Sequence, residues 1–216
     1  MQNELFKLAL EKDFDGIEQY ISQHPEVVNE GVPLDGKPHS PKGHPLHRIC
    51  DAVFAGKITD EDAIVVAKIL LAHGADIDGY KAAGDNNTPL IAASSLLAEK
   101  LGIFYIKQGA DIFYADPRDG ATALHWASYC GRDKLVAKLI EAGADINLPD
   151  KSYCSTPMGW ALHALANEKT SNLYHQQECV KLLVKAGADL SLLDESATQY
   201  LHDVAENNAE LKSLIS

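Results

Sequence analysis

A chain of 216 residues is long enough for one large domain or two small ones, and its 46% hydrophobic and 23% charged residues are ordinary for a folded protein. Its net charge of −12 argues against a nucleic-acid partner and against an anionic membrane surface; it is compatible with a basic protein partner, and solubility alone also accounts for it. No apolar run approaches the ~20 residues of a membrane-spanning helix. The start, MQNELFKLALEKDFDGIEQY, mixes charge into its apolar residues, so no secretory leader is expected. Cys50, Cys130, Cys154 and Cys179 form no CxxC pair, which leaves a reducing, cytoplasmic setting as the expectation.

In chain order, residues 4–10 and 16–21 read as two short amphipathic helices, followed by the loop His24-Pro-Glu-Val-Val-Asn29. Residues 31–43, with three prolines and several glycines, read as an irregular projecting turn. From there two patterns recur in one phase. Gly-Ala-Asp begins at Gly74, Gly109, Gly143 and Gly187. A second pattern reads His44-Pro-Leu-His47, Thr88-Pro-Leu90, Thr122-Ala-Leu-His125 and Thr156-Pro-Met158. Residues 119–147 give the clearest copy. Thr122 precedes a first helix running to about Cys130, and its hydroxyl is placed to take up a free backbone N–H. Gly131 ends that helix. Asp133 opens a second helix with Leu135, Val136, Leu139 and Ile140 at helical spacing, and Gly143 stops it. Residues 196–205 and 207–215 read as a last helical pair.

Two phased patterns with a period near 33 residues resemble the ankyrin repeat and its T-P-L-H-x-A signature. The resemblance implies an all-α solenoid of stacked helix-turn-helix units with β-turn fingers and capping helices at both ends. A repeat cannot bury its apolar face alone, so the copies stack. We expect one domain over residues 1–216. It divides into an N-terminal cap and irregular finger (1–39), a repeat with an insertion (40–79), repeats at 80–113 and 114–147, a second repeat with an insertion (148–191) and a C-terminal cap (192–216). Measured from pattern start to the next Gly-Ala-Asp, the copies at 88–109 and 122–143 are short, whereas 44–74 and 156–187 are longer by 9 and 10 residues. The extra residues fall near 51–60 and 166–176, between the two helices of a copy, and are expected to form loops.

The segment Gly43-His-Pro-Leu-His-Arg-Ile-Cys50 invites a zinc reading through His44, His47 and Cys50, with His39 upstream. The repeat already accounts for His47 and Cys50, because His47 occupies the place of His125. Only His44, standing where other copies carry Thr, is left over, and an imidazole substituting for the Thr cap is the simplest role for it. No catalytic motif is present. The stretch Asp51 to Thr59 fails as a phosphate loop at Asp51 and Ile58, and His163 has no nucleophile at a diagnostic spacing. We expect no enzyme activity and no cofactor.

The resemblance implies a scaffold for protein–protein contact that uses fingertips and the exposed face of the first helices. Carried over by position, the fingers contribute Tyr80, Lys81, Phe113, Tyr114, Arg118, Ser152 and Tyr153, and the first helices contribute Ser95, Tyr129, Trp160 and His163. Aromatic residues and Arg are typical interface anchors, and Tyr80, Phe113, Tyr114, Tyr129 and Tyr153 are expected on one concave side. Phe113, following Ile112, is the one most expected to be structural, and Trp126 is expected to pack between repeats. The leading expectation is a monomeric module that binds one protein, with an inhibitor or immunity-type role as its specific form. A two-surface adaptor using the insertions is the second reading, and a metal site at His39, His44, His47 and Cys50 the third.

Overall fold

The computed structural model describes residues 4–33, 42–79, 87–167 and 173–215. They form twelve α-helices and fall into two compact units, Met1–Asp111 and Ile112–Ser216. In the first unit, α1 (Glu4–Glu11), α3 (Pro45–Phe54) and α5 (Pro89–Ser95) make one row, and α2 (Phe14–Gln23), α4 (Asp60–Ala72) and α6 (Glu99–Lys107) make a second. Each helix packs on its partner in the other row and on its neighbour in the same row. The second unit repeats the arrangement. Its rows are α7 (Ala123–Tyr129), α9 (Pro157–Asn167), α11 (Glu195–Glu206), and α8 (Asp133–Glu141), α10 (Leu173–Lys185), α12 (Ala209–Ile215). This is the stacked helical-pair architecture expected from the repeat.

The core lies between the rows. Ile17, Leu46, Ile49, Leu70, Leu90, Leu101 and Tyr105 fill it in the first unit. Leu124, Leu135, Val136, Leu139, Leu162 and Leu183 fill it in the second. Small residues at Ala93, Ala127 and Ala161, all buried, allow first helices to approach one another. Tyr105 carries a hydroxyl into this core and donates it to the Leu46 carbonyl at 2.8 Å, so that hydroxyl is satisfied.

The ends of the helices follow the sequence closely. Thr88 Oγ1 accepts the Ile91 N–H at 3.2 Å. At Thr122 the arrangement is reciprocal, since His125 Nδ1 accepts the Thr122 N–H at 3.1 Å and lies 2.9 Å from its hydroxyl. His44 is the imidazole version of the same cap. Its Nδ1 accepts the Leu46 N–H at 3.2 Å, and its Nε2–H donates to Asn29 Oδ1 at 3.0 Å. Asn29 Oδ1 also accepts the Asp76 N–H at 2.7 Å, while its amide donates to the Gly74 carbonyl. The leftover histidine thus fastens the start of α3 to the turn after α2 and to the first Gly-Ala-Asp.

The insertions differ from expectation. They were expected as loops, but much of the added length is helix. α3 and α4 span 10 and 13 residues, against 7 and 9 for α7 and α8, leaving only Ala55–Thr59 as connection. The cause is a capping box: Thr59 Oγ1 accepts the Asp62 N–H, and the Asp62 carboxylate accepts the Thr59 N–H. In the second inserted copy α9 and α10 are likewise 11 and 13 residues long, and residues 168–172 between them lie outside the described residues. The irregular finger is closed at its base by β1 (Val32–Pro33) and β2 (Lys42–Gly43), paired antiparallel. Arg48, buried, donates Nε–H to the Val32 carbonyl at 3.0 Å and pairs with Asp51, tying that base to α3.

Candidate functional site

The second unit brings an aromatic cluster together from two first helices and one finger. α7 supplies His125, Trp126 and Tyr129, α9 supplies Trp160 and His163, and the finger between α8 and α9 supplies Tyr153. Trp160 is the hub. The rings of Trp126, His125, Tyr129 and Tyr153 stand nearly perpendicular to it at centroid distances of 5.2, 5.4, 6.0 and 6.4 Å. Tyr129 in turn stacks on His163 at 6.5 Å. Edge-to-face contacts of this kind hold rings in fixed orientation. Tyr153 is 77% exposed, and Trp126, Tyr129 and Trp160 are half-buried. The cluster is therefore pre-arranged on a surface rather than hidden in a core.

Asp150 fixes the finger beneath the rings. Its backbone N–H donates to the Ser155 carbonyl at 3.0 Å, closing the turn. Its side chain, on a residue only 2% exposed, receives four N–H groups. Ser152 and Tyr153 donate to Oδ1, both at 2.7 Å. Ser155 donates to Oδ2 at 3.1 Å and the Trp160 indole donates to Oδ2 at 2.9 Å. Burial works to raise the Asp150 pKa, but the hydrogen bonds from Trp160, Tyr153, Ser155 and Ser152 outweigh it and hold the carboxyl below the usual range. An anion thus orients both Tyr153 and Trp160.

The preceding finger is built the same way 34 residues earlier. Asp116 N–H donates to the Ala121 carbonyl at 3.0 Å, and Asp116 is equally buried. Here Arg118 lies across the carboxylate, with Nε 3.0 Å from Oδ1 and Nη2 2.6 Å from Oδ2. The left-handed position of this turn is Gly120, φ +76°, and in the next finger its place is taken by Cys154 at φ +50°. A Cβ there is strained. Cys154→Gly is expected to stabilise the protein by roughly 0.5–1 kcal/mol, a gain that equilibrium urea denaturation of both proteins would detect.

Of the residues named from the sequence, Tyr129, Tyr153, Trp160 and His163 come together in this cluster. Ser152 lies exposed beside it in the same finger. Arg118 is committed to Asp116. Ser95 belongs to the first unit and donates its hydroxyl to the Ala92 carbonyl. Tyr80 and Lys81 lie outside the described residues. Tyr114 is half-buried at the start of its finger. Phe113, carried over as a fingertip contact and the member of that set most expected to be structural, is 66% exposed. The physical reason is a pairing rule: Asn29, Asp78 and Asn147 each accept, through a side-chain oxygen, the backbone N–H of the Asp in the following Gly-Ala-Asp, at 2.7–2.9 Å. Phe113 occupies the same place two residues after Asp111 and has no side-chain oxygen to offer. Trp126 does pack between copies, against Trp160, yet also forms the edge of the cluster. Asp150, which orients the site, was missed, and its signal was the recurrence of Asp116 one period later.

The zinc reading finds little room. His39 lies outside the described residues. Both ring nitrogens of His44 are engaged in the cap and in Asn29. Cys50 is fully buried, its thiol directed to the Leu46 and Pro89 carbonyls and its pKa pushed well up by burial. Among the described residues no cluster of three His, Cys, Asp or Glu side chains is placed to hold a metal. A cavity among α1, α3 and α4, lined by Leu5, Phe6, Ile49 and Leu70, has a volume of about 10 Å³ with no polar lining, too small for a substrate. Among the described residues no helix is long and apolar enough to cross a membrane.

Comparison with curated proteins found no match. The family profile described as ankyrin repeats in three copies, by contrast, matches residues 62–150 and 101–194, which together cover residues 62–194. Repeats of this family are generally protein-interaction modules and typically non-catalytic. With that match over more than half of the chain and stacked helical pairs in both units, the chain belongs to the ankyrin-repeat family.

Proposed function

We propose that this protein is a non-catalytic binding module whose protein partner docks on the aromatic face of the Ile112–Ser216 unit. The observation that carries the reading is the cluster around Trp160: ordered rings, partly exposed, with the Trp160 indole and the Tyr153 backbone bonded to a buried carboxylate. Rigid aromatic side chains with little rotamer freedom to lose are what binding hot spots are made of. In a family that generally binds proteins, a single-partner role of the inhibitor or immunity type is the specific form we favour, acting as a monomer in a reducing compartment.

The test uses two exposed positions, so that folding is spared. Capture from native lysate by the wild type and by Tyr153→Ala/His163→Ala, quantified by mass spectrometry, is expected to give a dominant protein whose recovery falls by about tenfold or more in the variant, corresponding to about 1.4 kcal/mol. Equal recovery would move the partner off this face.

A second reading, a two-surface adaptor, is favoured by one observation in the other unit. Phe54, at the end of lengthened α3, is 57% exposed, and Leu97, in the turn between α5 and α6, is 42% exposed at φ +65°. Both lie at the helix ends away from the fingers. Phe54→Asp with Leu97→Gly would remove a second partner and leave the first.

A further inference from the structure

The two adjacent fingers of the second unit are the same device with one difference. Asp116 and Asp150 occupy equivalent places 34 residues apart, each 2% exposed and each closing its turn through its own N–H. Asp116 is covered by the guanidinium of Arg118, two residues on. Two residues after Asp150 stands Ser152, which offers only a backbone N–H to the carboxylate. Lys151, next to Asp150, directs its ammonium to the Pro117 carbonyl at 3.3 Å. Among the described residues no cation pairs with Asp150, and its anionic form is held by four N–H dipoles alone. In place of the arginine, the Trp160 indole N–H meets the carboxylate, and the Tyr153 ring stands against that indole.

We propose that the partner supplies the missing cation, an arginine side chain on a basic segment, seated against the rings of Trp160 and Tyr153 beside Asp150. This deepens the binding reading above and rests on it. Three features of the place select a guanidinium. A buried carboxylate without a counter-ion attracts positive charge through a low-dielectric surrounding. The Trp160 indole, donating its N–H to that anion, has an electron-enriched ring, and tryptophan is the strongest cation–π acceptor among the side chains. A planar, weakly hydrated guanidinium stacks on such rings more readily than an ammonium. The net charge of −12 steers a basic segment toward the protein.

The sequence provides its own reporter. The chain has two tryptophans, Trp126 and Trp160, and both are in the cluster, so intrinsic tryptophan emission reads this site alone. The probe is a blocked tetra-arginine peptide, with the isosteric, uncharged tetra-citrulline peptide beside it. Tetra-arginine is expected to change the emission saturably, and tetra-citrulline to bind at least about tenfold more weakly. Tyr153→Ala, at an exposed position, is expected to weaken tetra-arginine by about fivefold. Ser152→Arg is the sharper variant, because it restores the Arg118 arrangement from within. It is expected to weaken tetra-arginine by about tenfold or more while raising thermal stability. Equal affinity of the arginine and citrulline peptides, or undiminished tetra-arginine binding by a folded Ser152→Arg protein, overturns the proposal. The binding reading is judged separately: a captured protein lost in Tyr153→Ala/His163→Ala, with no tetra-arginine response, would leave the face as the docking site and remove the arginine from it.

Discussion

Asp150→Ala is expected to lower the stability of the Ile112–Ser216 unit by about 3 kcal/mol, and with it partner binding. The carboxylate accepts three backbone N–H groups of its own finger and the Trp160 indole, all at 2.7–3.1 Å. Hydrogen bonds to a charged acceptor are worth about 1.5–3 kcal/mol each, but bonds sharing one carboxylate do not add. Alanine leaves the Ser152, Tyr153 and Ser155 amides to water and the indole without its acceptor. A loss of this size shifts the unfolding midpoint of a unit of about 100 residues by on the order of 10 °C or more, which calorimetry resolves. Asp150→Asn keeps one acceptor oxygen and is expected to lose about half as much as Asp150→Ala. The pH dependence has a definite sign. Because hydrogen bonds hold the Asp150 carboxyl below its ordinary value, its contribution is present above the unfolded carboxyl range and is lost as pH falls toward the folded value.

The second large effect lies in the other unit and comes from His44. Burial, reinforced by nearby His47 and partly opposed by Asp76, lowers its pKa from 6.5 to about 4. Geometry requires the same neutrality, since Nδ1 must accept the Leu46 N–H while Nε2–H donates to Asn29. A proton on Nδ1 would set one donor against another. In the unfolded chain the imidazole takes up a proton near pH 6.5; in the folded unit it does so only near 4. Stability is therefore fully present above pH 6.5, falls as pH drops from 6.5 to 4, and stays level below that, with a total loss of about 3 kcal/mol from this residue. His44→Thr, which installs the cap used at Thr88, should remove that fraction of the pH dependence. It should also cost about 2 kcal/mol at pH 7, because the imidazole packs on Gly79 and holds Asn29. Urea denaturation of the two proteins at pH 7 and at pH 4.5 separates the effects; parallel losses of stability in both would exclude the role of His44.

Much of this was legible in the sequence because repetition reveals phase. The Gly-Ala-Asp steps located the ends of second helices, the Thr-Pro-Leu pattern located the starts of first helices, and His44 declared itself by breaking that pattern. The insertions were misread because a count of extra residues carries no conformation. Thr59 and Asp62 held the signal for a helix start, and the apolar spacing of α4 extended backwards to meet it. The exposure of Phe113 was not legible from its neighbour Ile112; its periodic equivalents Asp78 and Asn147 carried that signal. The aromatic cluster was legible only in part. Tyr129, Tyr153 and Trp160 were found by family position, but their meeting depends on Asp150 drawing the indole N–H into the finger, a tertiary contact ten residues apart that no local pattern displays.

The central claim is that a protein partner docks on the rings around Trp160, and the most direct measurement is the pair of indole N–H resonances of Trp126 and Trp160 during titration with the captured partner. Both signals are predicted to shift and broaden together at the concentration that saturates binding. Binding with both indole signals unmoved would contradict the claim and place the partner elsewhere on the protein.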